Sequence, residues 1–75
     1  MVIDQVKKIL SEQFDVDVNE LTEKTNIEQD LGADSVEVID LLMTLEDEFQ
    51  VEIPDEAIDE IRTIGDLTAF IEEHA

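Results

Sequence analysis

Cysteine is absent from the 75-residue sequence, which excludes both a disulfide framework and a thiolate metal site. Any thiol that the protein uses must therefore be carried by something attached to it. Glycine occurs twice and proline once beside 43% hydrophobic residues, a balance that argues for an ordered helical domain rather than a disordered chain. Bases are scarce as well: 4 lysines and arginines face 22 acids, for a formal net charge of −18. Between Glu28 and Glu60 there are thirteen acids and no base, with Lys7, Lys8, Lys24 and Arg62 all outside that stretch. Nucleic acid is excluded as an ordinary partner, because phosphate backbones are held by lysine and arginine. Anionic membrane surfaces are disfavoured for the same reason, whereas a basic protein patch would be drawn in. No signal peptide, transit peptide or membrane span is recognisable, so the expected location is the cytoplasm. The length suits one domain over residues 1–75, burying about 60% of the surface of its unfolded chain. A deep cleft with a rigid catalytic shell does not fit in such a domain.

What is present has helical periodicity. Val2, Ile3, Val6, Ile9, Leu10 and Phe14 share one side of a helical wheel, which predicts a first helix over residues 2–14. Asp15 to Asp34 shows no sustained period, and Val16, Val18, Leu21, Ile27 and Leu31 are expected to pin this long loop to the core. Gly32 breaks the chain before a second helix, which the Asp34-x-x-Glu37 arrangement caps. At about 100° per residue, Val38, Leu41, Leu42, Leu45 and Phe49 converge on its core face. Pro54 stops propagation, a short third helix follows over Asp55 to Ile61, and Thr63-Ile64-Gly65-Asp66 opens a last one. The expected fold is all-α: a small four-helix bundle with a long first loop and a short third helix.

Ser35 falls in the first turn of the second helix, where its hydroxyl is expected to be exposed near unpaired backbone N–H groups. A phosphate ester there would be favoured by those donors and by the helix dipole. Serine also commonly begins helices, so its position alone leaves a functional and a structural role both open.

The surrounding string carries more. Asp30-Leu31-Gly32-Ala33-Asp34-Ser35 resembles the acyl carrier protein signature, with Val36 standing where that family usually has leucine. The resemblance runs through Val6-Lys7-Lys8-Ile9, Leu45-Glu46-Asp47-Glu48-Phe49, Glu52-Ile53-Pro54-Asp55-Glu56 and Thr63-Ile64-Gly65-Asp66-Leu67. It implies a discrete, monomeric carrier of the dissociated (type II) fatty acid synthesis system, not an enzyme. It further implies that a phosphopantetheinyl transferase attaches phosphopantetheine from coenzyme A to Ser35, beside Asp34. Acyl chains would ride as thioesters on the terminal thiol of that arm, consistent with a chain that has no thiol of its own.

Two further surfaces follow. Opposite the core face of the second helix, Val36, Ile39 and Met43 lie among Glu37, Asp40, Glu46 and Asp47. An apolar strip inside uncompensated acid reads as a docking surface, and the family resemblance implies basic patches of fatty acid synthesis enzymes as its partners. An ordinary solvated face with stray hydrophobic residues is the alternative. Valine in place of leucine at position 36 removes one methylene, about 0.8 kcal/mol if fully buried, so recognition is expected to persist with altered partner preference. Val38, Leu41, Leu42, Ile53, Ile61 and Phe70 are the candidate lining of an acyl-chain pocket between helices; a closed core is the alternative.

Competing readings are weaker. A nucleophilic serine needs a nearby base, and the single histidine, His74, is penultimate and expected to fray into solvent. Asp15, Asp17 and Asn19 begin like a calcium loop, but Glu20 stands where glycine is needed and Asn26 where the bidentate glutamate belongs; no metal site is expected. Free-standing carriers of specialised polyketide or peptide pathways share the serine and the fold.

Overall fold

The first helix forms where the periodicity predicts it. In the computed structural model, which describes residues 1–74, α1 spans Val2–Phe14 and buries Val6 and Leu10 completely. Val2, Ile3, Ile9 and Phe14 pack against the core from its margins. The helix ends on Asp15, whose φ of 55° is left-handed and whose N–H donates to the Ser11 carbonyl. Helices α2 (Ser35–Phe49), α3 (Asp55–Ile58) and α4 (Ile64–His74) follow. This is the all-α bundle that the sequence predicts, with α1 packed on both α2 and α4.

The long connection after α1 is irregular but tied down. Asp17 accepts the Asn19 N–H at 2.8 Å and caps a 3₁₀ turn over Val18–Glu20, which no apolar periodicity announced. Leu21 and Ile27 are buried, and Val16 and Leu31 pack on the core. Val18 departs from expectation: the 3₁₀ turn leaves it 41% exposed. Backbone pairing fastens the loop to the α3–α4 junction. Ile27 N–H donates to Arg62 O at 2.9 Å, Ile64 N–H to Thr25 O at 3.0 Å, and Gly65 N–H to Glu23 O at 2.9 Å. A Cβ at position 65 would stand 3.0 Å from that same Glu23 oxygen, so glycine is what permits this approach.

Helix α2 turns Val38, Leu41, Leu42 and Leu45 inward, and Phe49 packs on the core from its edge. Beyond it, Gln50 adopts a left-handed φ of 55° and the chain returns Val51 and Ile53 to the interior. The half-buried Glu46 side chain reaches forward to fix that return, its Oε2 accepting the Ile53 N–H at 2.8 Å. Helix α3 ends at Ile58, short of the predicted Ile61. The bonds Glu60 N–H to Ala57 O and Ile61 N–H to Ile58 O tighten the last turn. Ile61 thereby turns into the core while the Arg62 carbonyl faces the loop.

Thr63 and Asp66 begin α4 reciprocally. Thr63 Oγ1 accepts the Asp66 N–H at 3.1 Å, and Asp66 Oδ2 accepts the N–H groups of Arg62 and Thr63, each at 3.2 Å. The Arg62 and then the Thr63 N–H hold the Asp66 carboxyl below the usual carboxylate range, the Arg62 charge adding to the effect. His74 does not leave the helix end as expected of a frayed residue; its ring stacks on Phe70 with centroids 4.2 Å apart.

Two expectations follow. Glu46→Ala orphans the Ile53 N–H and is expected to cost about 1–2 kcal/mol, a fall of several degrees in Tm for a domain of this size. Glu46→Gln keeps an acceptor and should cost clearly less, with thermal unfolding of both variants as the measurement. Because folding lowers the pKa of Asp66, its contribution is complete above the unfolded value of about 3.9 and is lost as pH falls through the folded one. The Tm difference between the wild type and Asp66→Asn is therefore expected to narrow below about pH 4; a constant difference from pH 7 to 3 would contradict it.

Candidate functional site

The segment before α2 is shaped residue by residue. Asp30 Oδ2 accepts the Asn26 N–H at 2.7 Å while the Asp30 N–H donates to Asn26 O at 2.9 Å, closing a turn. Leu31 packs on the core and Ala33 is buried, where a small side chain is what fits. Gly32 has a φ of +69° with nothing within 4 Å of where a Cβ would be. Conformation alone, not crowding, calls for glycine there. Asp34 is the N-cap, extended at φ −86° and ψ 179°. Its Oδ1 accepts the Glu37 N–H at 2.9 Å, and Glu37 Oε1 accepts the Asp34 N–H at 3.4 Å. The predicted capping box is thus complete.

Ser35 is the first residue of α2, and it is exposed. Its hydroxyl stands apart from all the others in the chain. Ser11 donates to Lys8 O, Thr44 to Asp40 O and Thr68 to Ile64 O, while Thr22, Thr25 and Thr63 join turn and cap hydrogen bonds. Ser35 Oγ alone has no hydrogen-bond partner among the described residues. The Glu37 and Val38 N–H groups are taken by Asp34, but those of Ser35 and Val36 have no intrahelical acceptor. An anionic ester on Ser35 Oγ would sit beside these donors at the positive end of the α2 dipole.

The outward strip of α2 is also as expected from its periodicity. Val36, Ile39 and Met43 are 74%, 47% and 60% exposed, which places three of the chain's five exposed large hydrophobic residues on one helix face among the described residues. Glu37, Asp40 and Asp47 are exposed around them. Glu46 is half-buried, with one carboxylate oxygen engaged by the Ile53 N–H, as Glu37 is by the Asp34 N–H, whereas Asp40 and Asp47 accept no backbone donor among the described residues. No carboxylate in this strip has a cationic side chain within 4.0 Å among the described residues.

Beside Ser35 opens a cleft of about 530 Å³. Val38 and Ile39 of α2 line it with Ile58 and Ile61 from the α3 segment. Asn26, Gln29 and Arg62 add polar groups, and Glu28 and Asp59 add acids. Of the six residues expected to form an acyl pocket, Val38 and Ile61 border this cleft. Leu41, Leu42 and Ile53 are buried in the core. Phe70 lines a separate groove of about 340 Å³ with Ala57, Ile61 and His74, so Ile61 borders both. Asn26, Gln29, Ile58 and Arg62 were not identifiable from the sequence pattern, since two segments distant in sequence bring them to Ser35. Asp17, considered as a calcium ligand, serves as a cap instead. No group of three or more acids or histidines converges as a metal site among the described residues.

The chain as a whole is similar to known proteins. The family model described as "Phosphopantetheine attachment site" matches residues 4–71. An acyl carrier protein of Phenylobacterium zucineum is 46% identical over 72 residues, 96% of this chain and 91% of that protein. One from Lactobacillus acidophilus is 38% identical over 73 residues, covering 97% and 91% respectively. Among solved structures, the acyl carrier protein of Enterococcus faecalis superposes with a TM-score of 0.86 at 39% identity, covering 99% of this chain and 94% of that one. The apo doublet acyl carrier protein from prodigiosin biosynthesis gives a TM-score of 0.81 at 27% identity, over 97% of this chain and 35% of that one. An unengaged serine behind a capped helix start thus lies within a full-length match, and the chain belongs to the phosphopantetheine-bearing acyl carrier protein family.

Proposed function

We propose that Ser35 is the attachment residue and that residues 1–75 form one monomeric carrier domain of cytoplasmic fatty acid biosynthesis. The observation that carries this reading is the Ser35 hydroxyl, exposed and unengaged while every other hydroxyl of the chain is hydrogen-bonded among the described residues. Ser35 supplies the oxygen that forms the phosphodiester with the phosphopantetheine of coenzyme A, and the nucleotide portion departs as its bisphosphate. The proton of Ser35 passes to the transferase in this reading, because no base among the described residues is bonded to that hydroxyl. In this reading the chain is the substrate of the transferase, a carrier with no catalytic part in its own loading. The attached group supplies a thiol that holds acyl chains as thioesters.

The contribution of the chain is placement and recognition. Asp34 and Glu37 fix the start of α2, so that the attachment oxygen has a defined position relative to the outward strip. Glu37, Asp40, Glu46 and Asp47 steer a basic partner surface, and Val36, Ile39 and Met43 provide apolar anchorage once it arrives. The partners in this reading are a phosphopantetheinyl transferase and the enzymes that elongate the acyl chain. Val38 and Ile61, on the cleft beside Ser35, are the pocket candidates best placed to meet a chain entering between helices. Leu41, Leu42, Ile53 and Phe70 would line its path only if the bundle opened further. A carrier of a specialised pathway is the second reading, favoured by the fold shared with the prodigiosin doublet. Acyl groups recovered from the native protein distinguish the two.

Incubation with coenzyme A and a broad-specificity transferase is expected to add one phosphopantetheine by intact mass, and Ser35→Ala to abolish the addition. A wild type that stays unmodified beside a carrier that loads would refute the proposal. The electrostatic half has its own check. The double variant Asp40→Lys with Asp47→Lys should slow loading at low salt by about tenfold or more, with the deficit shrinking as salt rises. Equal initial rates at low salt would mean that these acids do not steer the encounter.

A further inference from the structure

Arg62 is the single arginine of a chain with a net charge of −18. It lies at the α3–α4 junction, where its backbone is held at both ends: its N–H donates to Asp66 Oδ2 at 3.2 Å, and its carbonyl accepts the Ile27 N–H at 2.9 Å. The base of its side chain is therefore anchored. Its guanidinium has no carboxylate within 4.0 Å among the described residues, although 22 acids are present. It lines the same cleft as Ser35.

The chemistry of that cleft is mixed in a specific way. The volume of about 530 Å³ lies in the range typical of small-molecule sites, about 300–1,000 Å³. Val38, Ile39, Ile58 and Ile61 make part of it apolar. Asn26 contributes an amide whose oxygen accepts the Gln29 N–H at 2.9 Å, so its NH₂ remains as a donor. Of the charged groups lining the cleft, Glu28 and Asp59 repel an anion and Arg62 alone attracts one. A guanidinium is suited to phosphate because its planar fork can give two parallel hydrogen bonds.

We propose that Arg62 is a positioning residue for the phosphopantetheine arm, pairing with its phosphodiester and holding the arm against the cleft between α2 and the α3–α4 junction. This rests on the reading of Ser35 as the attachment residue. In the unmodified protein the guanidinium forms no ion pair within 4.0 Å among the described residues, its charge acting only on the Asp66 carboxylate beyond that distance. Once the arm is attached, the phosphate joins a cleft in which Glu28 and Asp59 would drive it outward, and Arg62 offsets them. Asn26 and Gln29, on the same cleft, would offer hydrogen-bonding groups to the amides and hydroxyl of the arm.

The test uses the full chain, unmodified and loaded with unacylated phosphopantetheine, as wild type, Arg62→Gln and Arg62→Lys. Intact mass establishes loading, and circular dichroism establishes folding, for each. Two signals are then read by nuclear magnetic resonance: the Arg62 Nε–H of the wild type before and after loading, and the phosphorus line of each loaded protein. The expected result is a shift of the Arg62 signal on loading and a displaced, sharper phosphorus line in Arg62→Gln, with Arg62→Lys between. At about 1 M salt, where the screening length is about 3 Å, the lines should converge. An Arg62 signal that ignores loading, or identical phosphorus lines in all three fully loaded proteins, overturns the role of Arg62 and leaves Ser35 standing. Failure of the wild type to load overturns the attachment residue, and this proposal with it.

Discussion

Carboxylates bonded to backbone N–H groups hold this protein in shape. With 22 acids and four bases, the chain cannot be stapled by ion pairs, and the one pair within 4.0 Å among the described residues joins the exposed Met1 ammonium to Asp4. Its acids act on the main chain instead. Asp17 caps the 3₁₀ turn, Asp30 closes the turn at Asn26, Asp34 and Glu37 cap α2, Glu46 holds the return after α2, and Asp66 caps α4. Each of these donors belongs to a loop or a helix start, where no regular backbone acceptor is available. Charge-assisted hydrogen bonds of this kind are stronger than neutral ones. The same residues that make the surface acidic therefore also fix where the helices begin.

That arrangement explains what could be read from the sequence and what could not. The core faces of α1 and α2 were legible because side chains repeat with the helical period, so Val6, Leu10, Val38, Leu41, Leu42 and Leu45 announce themselves. The cap at Asp34 was legible because both partners sit three residues apart. The Glu46 bond was not, since its donor is a main-chain group seven residues away and could belong to any side chain. The attachment of the loop to the α3–α4 junction is entirely backbone to backbone, which leaves no trace in side-chain pattern beyond Gly65. Val18 misled because an apolar residue in an irregular segment has no period to say which way it faces. The early end of α3 depends on the geometry that delivers Ile61 to the core. The cleft beside Ser35 is assembled from segments around residues 26–29, 35–39 and 58–62, a juxtaposition visible only once the chain is folded.

The site illustrates how little a carrier needs to build. A serine at a helix start commonly serves as its cap. Here the cap is a different residue. Asp34 and Glu37 form the cap between them, which releases the Ser35 hydroxyl from capping and leaves it exposed. Gly32 and Ala33 bring the chain to that point by conformation and by size. The serine is thus made available by its neighbours.

Glu46 shows the opposite arrangement. It lies on the outward strip of α2 yet fastens Ile53 with one carboxylate oxygen, whereas Asp40 and Asp47 on the same helix are exposed and bond no backbone donor through their side chains among the described residues. Surface composition is consequently not equally open to change along this face. A lineage can reverse the sign at positions 40 and 47 with the fold intact, but at position 46 it must first supply the Ile53 N–H with another acceptor. Of the acids on this helix face, two are free to diverge, while Glu46 is held by the loop behind it and Glu37 by the cap at Asp34.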